Sequence, residues 1–285
     1  MAGRIDDGPP RKPAAGPALR SMSFAAAAIA MLACGGWLAA QQLYRDVPLW
    51  YEPPPTLLEP PGSGKPAEFV LARMAYTDRY AQHPLEQRPW QIDSPAAERH
   101  LLQGLARLSA IDSRPDETYV RADDPRIFDY PFLYVVEAGH WALTDFEVEH
   151  IREYLLRGGF IMFDDFHGSE EWTHFMGGIR RIFPDRKVED LEADNEVFHV
   201  LFDMEQRTQI PGYQMVFSGR TYERDGTVPH WRGIRDDSGR LMVLINHNMD
   251  LGDAWEHADW PLYPERFTAM SYRLAINYII YAMTH

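Results

Sequence analysis

The fold is decided by residues 130–168, which read YPFLYVVEAGHWALTDFEVEHIREYLLRGGFIMFDDFHG. Two nearly continuous apolar runs, 132–137 and 160–163, are typical of strands that are buried on both faces of a sheet. Between them, Thr144 and Glu147 form a capping box that predicts the start of a helix, and two later glycines predict its end. Strand, helix and strand at this spacing predict a right-handed crossover between parallel neighbours. The sequence therefore predicts an α/β domain with a mostly parallel sheet.

Apolar patterns on either side extend this core. A first strand is predicted over residues 69–76, and Ser94 is the predicted N-cap of a helix. A last helix, 264–282, is apolar on most faces, but Arg273 and Asn277 near its middle favour a buried core helix over a membrane span. Further strands are predicted at 197–202, 214–217 and 241–245.

The N-terminal part of the chain has a different composition. Residues 1–20 are polar and net basic, and the apolar stretch 21–43 is long enough to cross a bilayer. Residues 44–66 are proline-rich, which favours an extended spacer. Because basic residues flank the apolar stretch mainly on its N-terminal side, the tail is expected in the bacterial cytoplasm. The sequence thus predicts a single-pass signal anchor in the inner membrane, with residues 67–285 as a soluble periplasmic domain.

Two other interpretations of the N-terminus stay open. Cys34 follows a small residue in a pattern that resembles a bacterial lipobox, which would make the chain a lipoprotein. Alternatively, the apolar stretch is a signal peptide that is cleaved to release the domain. The apolar run continues beyond Cys34, which favours the uncleaved anchor, and all three interpretations place the domain on the same side.

Charge and cysteine content limit which partners the chain can bind and how it can be cross-linked. The net charge of the chain is −14, and outside the first 45 residues there are 23 basic and 40 acidic side chains. Such a surface repels phosphate backbones, so we expect no nucleic-acid partner. The only cysteine is Cys34, so the chain cannot form an internal disulfide.

Residues 130–168 and the segment NHNMDLGDAWE, 246–256, together resemble a bacterial family known as domain of unknown function 4159. The resemblance extends over about residues 68–285. It implies a class I glutamine amidotransferase-like fold, which is a flavodoxin-like three-layer sandwich. It implies no activity.

Polar side chains follow three predicted strands at the edge where open α/β sheets bind their ligands. The first group, after 132–137, includes Glu137 and His140. The second, after 160–163, is formed by Asp164, Asp165 and His167. The third group follows 241–245 and consists of His247, Asn248, Asp250, Asp253, Trp255 and Glu256.

These groups allow two functional hypotheses. Amidotransferases of this fold place a cysteine nucleophile at the turn that here carries Asp164 and Asp165, so cysteine-dependent amide hydrolysis is excluded. The first hypothesis is a non-catalytic domain that binds an envelope protein or a glycan, with Trp255 available for stacking on a sugar. The second is a hydrolase in which a divalent metal, bound by carboxylates and histidines, activates water. Simpler roles compete with both hypotheses, since Asp164 and Asp165 would also cap a helix that begins near Ser169.

Overall fold

A computed structural model describes residues 60–80 and 88–285. The predicted basic tail, the predicted anchor with Cys34 and most of the predicted spacer lie outside these described residues. The strands and helices below therefore belong to the predicted soluble domain.

One sheet organises the domain, with its strands in the order β2-β1-β3-β4-β7-β6-β5. The first five strands in this order are parallel, whereas β6 and β5 are antiparallel to their neighbours. The parallel part has the strand order of a flavodoxin-like fold. The strands are β1 (Ala72–Ala75), β2 (Thr118–Arg121), β3 (Phe132–Val136), β4 (Phe160–Asp164), β5 (Glu189–Asp190), β6 (His230–Arg235) and β7 (Leu241–His247).

Helices cover both faces of this sheet. The helices are α1 (Ala96–Leu108), α2 (Asp145–Leu156), α3 (Gly168–Ile182), α4 (Tyr213–Ser218), α5 (Leu251–Glu256) and α6 (Glu265–Thr284). On one face, α1, α5 and α6 pack against alternate side chains such as Phe132 and Tyr134. On the other face, α2 and α3 pack against the intervening side chains, such as Leu133 and Val135. This alternation explains why the central strands are apolar at nearly every position before their C-terminal ends.

The segment that decides the fold forms as predicted. The side chain of Thr144 accepts a hydrogen bond from the backbone N–H of Glu147, and the Glu147 carboxylate accepts one from Thr144 N at 2.8 Å. The helix α2 ends just before Gly158, whose φ of 109° is the left-handed conformation that favours glycine. The turn at 236–239 joins β6 to β7, as its Asp-Asp-Ser-Gly sequence indicates.

Four local predictions are wrong or need correction. Residues 197–202 contain a short 3-10 helix and turns instead of a strand, and residues 214–217 lie in α4. The first strand is shorter than predicted. Ser94 does not cap α1; its hydroxyl forms a 2.6 Å hydrogen bond with the Tyr119 hydroxyl, and Pro95 precedes the first helical residue.

The last helix is a core helix, as predicted. Leu274, Ile276 and Ile279 of α6 are fully buried. Asn277 is buried as well, and its side-chain oxygen accepts hydrogen bonds from the backbone N–H groups of Leu201 and Phe202. Within the described ranges, no helix is both long and apolar enough to cross a membrane.

Candidate functional site

Three neighbouring parallel strands, β3, β4 and β7, end in the same backbone conformation. The residues that follow their buried parts, Glu137, Asp165 and Asn248, have φ values of 53°, 52° and 64°. Non-glycine residues seldom adopt this left-handed conformation, and such strained turns are concentrated at functional sites. The sharp turns bring the polar groups predicted from the sequence to one edge of the sheet.

A first cluster forms between the β3 turn and α3. The His140 Nε2 atom lies 3.2 Å from Glu171 Oε1 and 3.8 Å from Glu137 Oε2, and its Nδ1 lies 3.9 Å from Asp78 Oδ1. The hydrogen bond to Glu171, together with the nearby carboxylates, raises the pKa of His140. One ligand atom each from Glu137, His140 and Glu171 lie within 4.8 Å of one another. We call these three residues the His140 site.

Glu137 is unusual within this cluster. Burial raises the pKa of its carboxyl group to about 9, and the negative charges of Asp165 and Glu171 contribute in the same direction. Without a bound cation, the carboxyl group therefore carries a proton at neutral pH. Its side chain is still 22% exposed, so the His140 site is open to solvent on one side.

Asp165 stands on the turn after β4 and is 6% exposed. Its Oδ1 atom lies 3.2 Å from Nε2 of His167, the residue that precedes α3. Burial, with the charges of Asp164 and Asp253, raises its pKa well above the ordinary range for a carboxyl group. The structure therefore brings Asp165 and His167 together, as predicted.

Asp164 has a different role. It is fully buried, and its Oδ2 atom accepts hydrogen bonds from Leu251 N at 2.9 Å, Gly252 N at 3.1 Å and the Tyr134 hydroxyl at 3.1 Å. It thus caps α5. The predicted cap of the helix near Ser169 is wrong, because Asp225 accepts the Ser169 N–H there, at 2.9 Å.

Both helix N-termini at this edge are occupied by acceptors of the chain itself. In α5, Asp164 takes two N–H groups and Asp250 takes the N–H of Asp253 at 2.7 Å. The acceptors at the start of α3 are Glu171, Asn248 and Asp225. Free N–H groups at helix N-termini are what bind phosphate in many α/β proteins. Because four of the five acceptors at the two helices are carboxylates and few N–H groups stay free, the edge favours cations over anions.

Three predicted ligands serve the fold instead. His247 is 5% exposed, its Nε2 lies 3.2 Å from Gly168 O, and burial lowers its pKa to about 4. Asn248 uses its side-chain oxygen for Gly168 N and its amide for Val228 O. Trp255 is fully buried against Tyr134, with ring centroids 5.4 Å apart, so it cannot stack on a sugar from solvent.

A second cluster surrounds α5. Asp250, Asp253 and Glu256 were predicted, and His257 joins them, with its Nε2 3.5 Å from Asp253 Oδ1 and 3.6 Å from Glu256 Oε2. Asp253 Oδ2 also accepts the Tyr213 N–H at 2.7 Å. Burial and nearby carboxylates raise the pKa of Asp250 well above its usual range.

Several residues of the site were not predicted. Glu171 lies in the first turn of α3. Arg224, on the loop 219–229, places its Nη2 atom 2.5 Å from Glu171 Oε1. Asp93 comes from a turn before α1 and is distant in sequence from Asp250 and Asp253, which it approaches. A carboxylate close to the predicted turn would have indicated Glu171, but no local pattern indicates Asp93 or Arg224. Glu223 lies near Asp250 and Asp253 around Gly212. Those missed are Asp78, Asp93, Glu171, Glu223, Arg224 and His257.

Comparison with known families agrees with the resemblance noted from the sequence. The family model for the domain of unknown function 4159 matches residues 70–283. The chain belongs to this family. No curated protein matches the chain. The matched range includes both carboxylate clusters and all seven strands, so the site described here lies within the family domain.

Proposed function

We propose that this domain is a metal-dependent hydrolase whose metal ion is held by the His140 site. The observation that carries the proposal is the convergence of one imidazole nitrogen and two carboxylate oxygens within 4.8 Å. Such a mixed set suits zinc, manganese or iron. The open side of the site leaves room for water and substrate, which a catalytic metal site requires.

Asp165 is the candidate general base. It stands on the turn after β4, where amidotransferases of the implied fold carry their cysteine, and His167 hydrogen-bonds to its carboxylate. The proposal therefore retains the amidotransferase-like scaffold but replaces the thiol nucleophile by water. A bound ion would supply the acidity that makes this water a nucleophile at neutral pH. In its ionised form, which the nearby cation would favour, Asp165 would accept the proton, and His167 would hold the carboxylate in place.

Arg224 has to leave Glu171 before that carboxylate can bind a metal. The Arg224 side chain is 51% exposed and reaches Glu171 from the loop 219–229. The Glu171 side chain is only 2% exposed, so its charge has to stay compensated, and the bound metal ion would take over this role from Arg224. Arg224 would then be free to pair with an acidic group of a substrate.

A second candidate function is binding without catalysis, and the same contact favours it. Glu171 already accepts hydrogen bonds or ion pairs from His140, Arg224 and the His167 N–H. If these contacts persist, the site is a satisfied polar network that recognises an envelope protein or a glycan. In either case, the proposed location is the periplasmic face of the bacterial inner membrane, with residues 21–43 as the anchor.

The first experiment is metal analysis of the purified full-length chain in detergent. We expect about one equivalent of zinc, manganese or iron, lost in Glu137→Gln and retained in Glu149→Gln, whose side chain is exposed on α2. A screen of esters, amides and glycan fragments then identifies the substrate class. If the chain binds none of these ions even with excess metal, the hydrolase proposal fails and the binding function takes its place.

A further inference from the structure

Four carboxylates around α5 form a group that the hydrolase proposal does not use. One oxygen each from Asp93, Asp250 and Asp253 lie within 4.8 Å of one another. Glu223 joins them from the loop 219–229. We call these four residues the Asp250 site. They come from the turn before α1, the start of α5 and the loop that contacts Glu171.

The space between these carboxylates exists because two residues lack a side chain. A Cβ atom on Gly212 would lie 2.8 Å from Glu223 Oε1, 3.0 Å from Asp250 Oδ2 and 3.3 Å from Asp253 Oδ2. Three carboxylate oxygens thus surround one small space. A Cβ on Gly252 would lie 2.6 Å from Asp93 Oδ2 and 3.6 Å from Asp250 Oδ1. Asp93 therefore lies next to Oδ1 of Asp250, whereas Gly212 lies next to its Oδ2.

Two oxygens at this place have no hydrogen-bond partner. Asp93 Oδ2, which faces Gly252, is shielded from solvent and receives no hydrogen bond from the described residues. Asp164 is fully buried, and while its Oδ2 atom binds the N–H groups of Leu251 and Gly252, its Oδ1 atom has no partner. Buried carboxylate oxygens without a donor are costly, so this arrangement indicates a missing positive charge.

The described side chains do not supply that charge in full. Among residues 60–80 and 88–285, no Lys or Arg forms an ion pair with any of the four carboxylates, and His257 lies 3.5 Å from Asp253 Oδ1. The free N–H groups of α5 are already bound by Asp164 and Asp250. A bound cation would supply it, in competition with the protons that burial favours on Asp93 and Asp250 by raising their pKa values.

We propose that the Asp250 site binds a calcium-sized divalent cation. All of its ligands are oxygen atoms, the donor set that hard cations such as Ca²⁺ prefer, whereas the His140 site includes an imidazole. The proposal is independent of the hydrolase proposal, because it involves other residues and another class of ion.

The bound ion joins three parts of the domain. Arg73 fixes the turn that carries Asp93, because its Nη1 group donates to Trp90 O at 2.9 Å and Ile92 O at 2.6 Å. The ion connects this turn to α5 through Asp250 and Asp253, and to the loop 219–229 through Glu223. The ion therefore orders the loop 219–229, which also contains Arg224, the residue that contacts Glu171 of the His140 site.

The test is calcium titration of the purified full-length chain after treatment with a chelator. We expect binding by calorimetry, a higher melting temperature with Ca²⁺, and Tb³⁺ luminescence sensitised by nearby aromatic side chains. Asp93→Asn removes one ligand, and Gly212→Ala fills the space without removing any charge. Each variant should weaken Ca²⁺ binding by about 10- to 100-fold or more.

Matched controls separate this effect from general damage. Asp129→Asn changes an exposed carboxylate before β3, and Gly177→Ala adds a methyl group where no atom lies within 4 Å. Both should keep the affinity of the parent, as should Glu137→Gln of the His140 site. The proposal is overturned if the parent shows neither calcium binding nor a melting shift. It is equally overturned if both site variants bind Ca²⁺ like the parent.

Discussion

At the scale of single residues, Asp164 shows how burial and hydrogen bonding compete. Burial raises the pKa of Asp164 to about 7, although the hydrogen bonds from Leu251 N, the Tyr134 hydroxyl and Gly252 N oppose the shift. An unfolded chain releases this proton near pH 4. Between about pH 4 and 7, the folded chain therefore binds more protons, and Asp164 makes the free energy of unfolding fall as pH rises.

Asp164→Asn should remove this part of the pH dependence while keeping an acceptor for α5. In the presence of a chelator, we expect the stability of the variant relative to the parent to rise between about pH 5 and 8. Urea unfolding at both pH values measures this difference. An equal difference at the two values would show that Asp164 is ionised throughout.

How far the site could be predicted depends on where its residues lie in the sequence. Glu137, His140, Asp165 and His167 follow apolar runs directly, so the end of a strand locates them. Asp93 does not, because a turn before α1 brings it to α5 through tertiary contacts alone. Candidates at the end of β7, such as His247, were predicted at the correct edge of the sheet. Their side chains are buried and hydrogen-bond to backbone groups, and the sequence does not show which polar residues become buried in this way.

At the scale of elements, helix α3 contains two adjacent glycines with opposite environments. A Cβ on Gly178 would lie 2.6 Å from the ring of Trp141, whereas one on Gly177 would meet no atom within 4 Å. Trp141 connects α3 to the sheet, since its ring stacks on Phe175 of α3 with centroids 5.3 Å apart and meets Phe163 of β4 edge-on at 5.2 Å.

The two alanine substitutions should therefore change stability in opposite directions. Gly178→Ala should lower the free energy of unfolding by about 1–3 kcal/mol, because the Trp141 ring has to move. Gly177→Ala should raise it by up to about 1 kcal/mol, since alanine favours the helix more than glycine does. Thermal and urea unfolding of both variants check this, and effects of equal sign would contradict the packing of α3.

The elements that the sequence did not predict correctly share a cause. Residues 197–202 and 214–217 are apolar because they cover the core, but their backbone groups do not form the hydrogen bonds of a sheet. Asn277 binds the backbone at Leu201 and Phe202, for example. Strand β6 was not predicted because its sequence HWRGIR is mostly polar and half-buried. Apolar runs indicate that a segment is buried. Only additional signals, such as a capping box, indicate whether it forms a helix or a strand.

At the scale of the whole molecule, the buried ion pair of Arg73 and Glu98 connects the sheet to α1. Both residues are fully buried. Arg73 also holds the turn at 90–92 and stacks over the Tyr134 ring, with its guanidinium carbon 4.8 Å from the centroid. One charged side chain thus links β1, α1 and the turn that leads to Asp93.

Glu98→Gln should destabilise the domain by about 3–5 kcal/mol, because it leaves the Arg73 charge buried with less compensation. Glu153→Gln is the matched control: it breaks the exposed pair with Arg157 and should cost less than about 1 kcal/mol. Urea unfolding gives both values. A loss no larger than that of the control would show that other groups neutralise Arg73.

The left-handed turns after β3 and β4 have a consequence for protein engineering. Glycine adopts this conformation with little strain, so Glu137 and Asp165 each lower the stability of the fold by about 1 kcal/mol compared with glycine. A library selected only for heat resistance would therefore enrich glycine at these two positions and lose the acidic side chains. The result would be a more stable domain without the two acidic side chains, useful as a reference protein when ligands of the parent are sought.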